Sequence, residues 1–220
     1  MATALITGAN RGIGLELCRQ LAARGDRVIG VCRRSSPDLD GLGARVESGV
    51  DVTSDDDVRA LADRLSDESL DLVVNNAGAL GRVDLENLDF DEIRRLFEVN
   101  SLGPLRVTAA LLPRLHTGSK VAIITSRMGS IDDNTSGGSY GYRMSKAAVN
   151  MAGKSLAVDL EPRGIAVAIL HPGFVRTEMT HHQGNVEPAE SAAGLLARID
   201  ELSIETTGGF WHANGERLPW

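Results

Sequence analysis

The chain has 220 residues, 42% of them hydrophobic, with a formal net charge of −7 and a pI near 5.3. This is enough apolar material for one sizeable α/β domain with a continuous core, and the acidic balance sets the average field against sequence-blind binding of nucleic acid or an anionic membrane surface. No window reaches the ~18 apolar residues of a membrane span, and residues 1–7 (MATALIT) lack the basic start and long apolar stretch of a signal peptide, so a cytoplasmic protein is expected.

Apolar runs of strand length alternate with segments of helical period. ATALIT predicts a strand over 2–7 and GLELCRQLAARG a helix over 12–24; RVIGVC follows as a strand over 27–32. The connection RRSSPDLDGLGA, with one proline and two glycines, is read as a loop or one or two helical turns. Next come a strand over 45–50, a helix over 54–66 with Thr53 or Ser54 as N-cap and the acidic run SDDDV in its first turn, and a strand over 70–75. A long helix is expected over 89–115 with Asp89 as N-cap, then a strand over 119–125, a polar loop over 132–139 and a helix over 140–161. A strand over 164–170, a polar loop over 176–190, a helix over 188–201 and a strand over 209–213 complete the chain. The strands are continuously apolar, as parallel strands covered by helices on both faces require. The fold class is therefore α/β: a single Rossmann-type, doubly wound, seven-stranded parallel sheet in one domain over 1–220, without repeat or linker, with a short substrate loop at about 174–200. Cys18 and Cys32, the only cysteines, lie in apolar periodic segments and read as reduced core residues.

TGANRGIG at 7–14 places Gly8, Asn10, Arg11, Gly12, Ile13 and Gly14 between the first strand and the first helix. There, backbone N–H groups and a helix N-terminus can face an anion, although a glycine-rich turn also serves as a plain bend. Its G-x3-G-x-G spacing differs from the commonest dinucleotide fingerprint. Further along, NNAG closes the fourth strand at 75–78, Asn100 lies within FEVNSLG, Ser126 follows VAIIT, and YRMSK sets Tyr142 four residues before Lys146. In this order and spacing the five motifs resemble the short-chain dehydrogenase/reductase family, from Thr3 to about Met179; HPGFVRTEM and GGFWHANGERLPW look like its small carbonyl-reductase and C-factor-like branch.

Residues i and i+4 share a helix face, so Tyr142 and Lys146 can act as a unit. An ammonium ~4 Å from the phenol, at an effective dielectric near ~20, is worth about 4 kcal/mol, enough to draw a tyrosine from ~10 toward ~7. The alternative is a core tyrosine beside a solvated lysine. Tyr140 has Met144 at the corresponding position and no cationic partner, and is read as a pocket wall or helix-entry residue.

The resemblance implies the remaining roles: Tyr142 as proton donor, Ser126 on the substrate oxygen, Lys146 also on the nicotinamide ribose, and Asn100 ordering a water relay behind the lysine. Thr125 and Ser130 are rival hydroxyls, and Asn100 also fits a buried amide in a kinked helix. Asp51, with Val52, would meet the adenine, or Asp51 would cap a helix. Asn75, Ala77 and Gly78 would bring backbone to the adenine ribose, or the asparagines would tie neighbouring strands. Pro172, Gly173, Val175 and Thr177 would grip the nicotinamide carboxamide and pyrophosphate, or form an ordinary turn. At the end of the second strand, where an NAD-selective protein places a carboxylate on the ribose 2′-hydroxyl, stand Arg33 and Arg34. A guanidinium suits a 2′-phosphate and cannot accept from a hydroxyl, so, with Arg11 nearby, the expected cofactor is NADP(H) rather than NAD(H), unless these arginines are merely solvated.

The expected activity is reduction of an aldehyde or ketone, or oxidation of a secondary alcohol; the alternative is a dinucleotide-binding sensor with little turnover. A cofactor-free halohydrin dehalogenase would carry arginine at position 146 and lack the glycine turn, unlike this chain. Leu80, Met128, Ile131 and Trp211 are candidate apolar walls for a small or medium carbonyl substrate. The resemblance also implies a homodimer or homotetramer paired through the helices at 89–115 and 140–161. Adjacent His181 and His182 cannot face one ion from one element, so no metal site is expected; His171 takes the place of an asparagine common in the family.

Overall fold

The computed structural model describes residues 1–220. Its strands are β1 (Thr3–Thr7), β2 (Arg27–Val31), β3 (Arg45–Glu47), β4 (Leu70–Asn75), β5 (Leu115–Ile124), β6 (Ala166–His171) and β7 (Phe210–His212). They form one parallel sheet in the order β3-β2-β1-β4-β5-β6-β7. Strand order reverses between β1 and β4. Their carboxyl ends therefore leave a crevice, the place where open α/β sheets bind ligands.

Side chains along each central strand alternate between two cores. Ala4, Ile6, Leu72, Val74, Ala122 and Ala168 face the layer containing α1 (Gly12–Ala23) and α7 (Pro188–Glu201). Leu5, Val73, Val121, Ile123 and Val167 face the layer of α3 (Asp55–Arg64), α5 (Gly103–Leu111) and α6 (Tyr140–Leu160). Both faces are dry, which is why these strands read as unbroken apolar runs. Cys18 and Cys32 are free and buried, and burial pushes the Cys18 thiol up to about 12, so it is inert.

The connection between β2 and β3 forms a single short helix, α2 (Pro37–Asp40), capped by Ser36, whose Oγ accepts from Leu39 N at 3.3 Å. Ser54, not Thr53, caps α3, accepting from Asp57 N at 3.2 Å, and Asp89 caps α4 (Phe90–Phe97) as expected. The strand expected over 45–50 stops at Glu47, ahead of Gly49, whose φ is +77°.

The single helix expected over 89–115 is instead broken into α4, a π-turn at Glu98–Leu102, α5 and a 3-10 turn at Leu112–Arg114. Pro104 explains the first break, because an uninterrupted helix would need its missing N–H for the carbonyl of Asn100. Pro113 ends the helical run in the same way, and β5 starts at Leu115, earlier than expected. The polar loop after β6 is also more ordered than its composition suggests. Val175 bridges Val186, Phe174 O accepts from Asn185 N and Val186 N, and Arg176 donates to the Gly184 carbonyl.

Candidate active site

The glycine turn and NNAG meet at the β1/β4 crevice because partly buried hydrogen bonds lash them together. The Thr7 hydroxyl accepts from the N–H groups of Asn76 and Ala77, both at 3.0 Å, and Asn76 Nδ2 donates to Thr7 O at 2.9 Å. A Cβ on Gly14 would lie 2.2 Å from Gly8 O, and one on Gly8 would lie 3.0 Å from Ala77 Cα in a left-handed backbone, so neither position tolerates a side chain. Gly12 faces Thr177 across the groove: a Cβ there would lie 3.4 Å from the threonine methyl. Helix α1 begins at Gly12 with no side-chain cap and no acidic residue in its first turn. Its first N–H groups thus face the groove beneath a positive helix terminus.

Around this groove the remaining sequence-predicted residues fall into place unevenly. Asn10 O accepts from Ser36 Oγ at 2.8 Å, Ile13 in the first turn of α1 packs against the core, and Pro172 O accepts from Ser191 Oγ at 2.8 Å. Gly173 is left-handed, with φ +90°. Arg33 is exposed, and its guanidinium lies 3.9 Å from Asp51. Burial alone would raise the Asp51 carboxyl, but hydrogen bonds from the Thr53 N–H and hydroxyl, with the charges of Arg33 and Arg106, hold it below the ordinary carboxylate range. The Val52 side chain packs against Gly103, where a Cβ would lie 3.0 Å from its methyl. The Asn75 amide is committed to α5, donating to Thr108 Oγ1 at 2.9 Å, so it ties layers together, and its Oδ1 is buried without a partner. Arg11 pairs with Glu178 across the groove, a long-range contact that the sequence did not disclose.

The four residues singled out for chemistry converge beside the crevice. Asn100 sits in the π-turn, where its Oδ1 accepts from Ala79 N at 2.8 Å and its Nδ2 donates to Ala79 O at 2.9 Å and to Ser145 Oγ at 3.0 Å. Ser101 Oγ donates to Ser145 O at 2.7 Å, so the π-turn is stitched directly to α6. Lys146, on the same helix, is buried and donates to Ile124 O at 3.1 Å. A Cβ on Gly78 would stand 3.4 Å from Asn100 Oδ1 and 3.8 Å from Lys146 Nζ, so that glycine keeps open the space around the ammonium.

Ser126 and Tyr142 face each other, and the Ser126 hydroxyl also accepts from Met128 N at 3.1 Å. Two features that sequence reasoning missed hold this loop on α6. A Cβ on Gly129 would come within 2.7 Å of the Lys146 carbonyl carbon, and Thr125 Oγ1 donates to Asn150 Oδ1 at 2.6 Å while Asn150 Nδ2 donates to Gly129 O at 3.3 Å. The rival hydroxyls are thereby spent: Thr125 on Asn150, and Ser130 on Trp220 O at 3.1 Å.

The electrostatics differ from the expectation of a lysine-lowered phenol. Burial pushes the Tyr142 phenol above its ordinary value, opposed only by the hydrogen bond from Ser126. Burial also pulls the Lys146 ammonium down to about 8. Its Nζ lies 5.8 Å from the centroid of the Tyr142 ring and is turned to Ile124 rather than to the hydroxyl. Desolvation penalises both charged forms, an effect that the i, i+4 spacing does not report. The phenol is therefore protonated and the lysine still mostly charged at neutral pH. His171, packed edge-on against His212 with ring centroids 4.8 Å apart, is neutral too: burial, then the charges of His212, Arg127 and Lys146, push it down to about 3, and its Nδ1 is buried without a partner. His181 and His182 are consecutive left-handed residues in a turn.

The sequence profile of the short chain dehydrogenase family matches residues 2–187. The 1-hydroxy-2-glutathionyl-2-methyl-3-butene dehydrogenase of Rhodococcus sp. (strain AD45) is 47% identical over 226 residues, covering all of both chains. The C-signal of Myxococcus xanthus is 44% identical over 166 residues, 74% of this chain and all of that one. Among solved structures, the NADPH-bound carbonyl reductase from chicken fatty liver superposes with a TM-score of 0.91 at 28% identity, over all of this chain and 99% of that one. The family profile over most of the chain and the 47% identical dehydrogenase show that the chain belongs to the short-chain dehydrogenase family, and it is an oxidoreductase of that type.

Proposed function

We propose that the protein is an NADP(H)-dependent oxidoreductase that interconverts a carbonyl and an alcohol, with Tyr142 as the proton-transferring group. The observation carrying this reading is the protonated, half-buried phenol of Tyr142 beside the Ser126 hydroxyl and the buried Lys146 ammonium, at the open end of the crevice. The groove suits a dinucleotide: Gly8 and Gly14 let the turn close in backbone contact with Asn76 and Ala77, Gly12 leaves its side toward Thr177 free of a side chain, the first turn of α1 offers uncapped N–H groups, and Arg33 and Arg11 would meet a 2′-phosphate. NADPH, when bound, supplies the hydride. Asn10 to Gly14, Ala77, Gly78, Pro172, Gly173, Val175 and Thr177 would form the walls that hold it, with Asp51 and Val52 at the adenine end.

The protein's own residues carry the proton. Ser126 donates a hydrogen bond to the substrate oxygen and steadies the charge that builds on it. Tyr142 gives its proton to that oxygen, and the phenolate left behind is stabilised by the Lys146 ammonium. Asn100 acts at one remove, fixing Ser145 and the Ala79 backbone, and so the register of α6. Because the phenol is held high, it serves carbonyl reduction at neutral pH, while alcohol oxidation needs its deprotonated form. The glutathionyl alcohol named for the Rhodococcus relative supports a thioether-bearing alcohol as one substrate class. Met144, Met151 and Val158 form an exposed apolar stripe on α6, next to exposed Leu102 and Leu105, which supports pairing of subunits through α5 and α6.

Similarity to the C-signal favours a second reading, a dinucleotide-binding signalling protein. Consumption of NADPH across a panel of aldehydes and ketones separates the two. Turnover is expected; tight NADPH binding with no oxidation on any carbonyl, and no NADP reduction by any alcohol, would leave the signalling reading.

A further inference from the structure

A hollow of about 530 Å³ opens at the start of α6, against the 3-10 turn that follows Ser126, a size that suits a small ligand. Its wall includes Tyr140, at the start of α6 and two residues from Tyr142, and Met128, whose N–H holds the Ser126 hydroxyl. The hollow is mainly polar, and of the apolar walls expected from the sequence only Met128 lines it. Its charges are arranged in a particular way. Arg82 and Asp84 form an exposed ion pair at 3.4 Å, and Asp84 also accepts from Ser139 N. Arg143 has no carboxylate partner; its guanidinium donates only to Gly137 O and Ser136 Oγ. Glu86 has no cationic partner. One unpaired cation and one unpaired anion thus share a single cavity. Between them Gly137, Gly138 and Ser139 run through three successive left-handed conformations, with φ of +64°, +65° and +48°. Left-handed Ser139 is a local strain of the kind that gathers at ligand sites.

We propose that this hollow is the seat for a zwitterionic, peptide-like substituent on the substrate, with Arg143 taking an α-carboxylate and Glu86 the neighbouring ammonium, while the reacting end of the molecule reaches Ser126 and Tyr142. Arg143 offers a planar fork that matches a carboxylate, and the bare glycine backbone leaves room for an extended amide chain. The glutathionyl group named for the Rhodococcus relative is a γ-glutamyl peptide of this chemistry, joined to its alcohol through sulfur. The assignment rests on the oxidoreductase reading of the adjoining site.

Two measurements on the NADP-loaded protein test it. In the first, S-methylglutathione, which has no alcohol to oxidise, is titrated by calorimetry. Saturable binding is expected, weakened at least tenfold in Arg143→Ala, weakened also in Glu86→Gln, and only partly restored in Arg143→Lys, which keeps the charge but not the fork. In the second, kcat/KM is compared for S-(2-hydroxyethyl)glutathione and for 2-(ethylthio)ethanol, which share the reacting thioether alcohol. Preference for the glutathionyl alcohol is expected, and Arg143→Ala should reduce that preference at least tenfold. Absence of saturable binding, or equal binding by the wild type and all three variants, overturns the proposal. If S-methylglutathione binds as expected while neither alcohol nor any carbonyl is turned over, the seat stands and the oxidoreductase reading falls. If small alcohols react but the glutathione derivative neither binds nor is preferred, only the seat falls.

Discussion

Replacing Lys146 by methionine should make the protein more stable while disabling it. Burial brings the ammonium from an ordinary 10.5 to about 8. At about 1.4 kcal/mol per pH unit, this corresponds to about 3 kcal/mol spent on keeping the charge inside the fold. Methionine removes the charge with similar volume. The lost hydrogen bond to Ile124 O offsets about 1 kcal/mol, leaving a net gain of about 2 kcal/mol, or about 4–8 °C in Tm for a domain of this size. The pH dependence follows from the direction of the displacement. Below pH 8 the lysine is charged in both folded and unfolded chains, and the folded state carries the full penalty. Between 8 and 10.5 the folded lysine is neutral while the unfolded one is still protonated, so the penalty shrinks; above 10.5 it is gone. Urea denaturation of both proteins without cofactor should therefore show the variant's advantage at pH 7 and its disappearance toward pH 10.5. A variant less stable than the wild type at pH 7, or an advantage that grows with pH, would refute the reasoning.

Arg33→Ala should weaken NADPH binding about tenfold, since a charge-assisted phosphate contact is worth about 1.5–3 kcal/mol and this side chain is well solvated; NADH binding should change little, and equal losses for both cofactors in fluorescence titrations would contradict it. Gly129→Ala should cost about 1–3 kcal/mol in denaturant and lower kcat more than it raises the KM for NADPH, because its Cβ would press on the Lys146 backbone and shift the loop that carries Ser126; unchanged kcat would show that the loop tolerates the shift. In steady-state pH profiles, carbonyl reduction should decline as the pH rises through about 8, where Lys146 loses its charge, whereas alcohol oxidation should first rise with pH as the phenol ionises; the same profile in both directions would refute these assignments.

Much of the architecture could be read from pattern because the physics that shapes it is local. The apolar runs ATALIT, RVIGVC and KVAIIT announce buried parallel strands, and TGANRGIG between strand and helix fixes the groove. The π-turn was also within reach: Pro104 cannot serve the carbonyl of Asn100, yet the helical period on both sides masked the break. What stayed hidden depends on residues far apart in the chain. Nothing near Gly129 reveals that Lys146 backbone lies under it, nor does Arg11 betray its partner Glu178. The upward displacement of the Tyr142 phenol is hidden for a related reason, since spacing locates a neighbouring charge but not the desolvation of both groups.

The proton donor can be tested most directly in Tyr142→Phe, by measuring the NADPH dissociation constant alongside single-turnover oxidation of bound NADPH by an aldehyde that the wild type reduces. Removing one hydroxyl from a half-buried ring should leave cofactor affinity within a few-fold while the chemical step falls by at least about a hundredfold, the range of a lost general acid. Oxidation at the wild-type rate in that variant would contradict the assignment of Tyr142 as the proton donor.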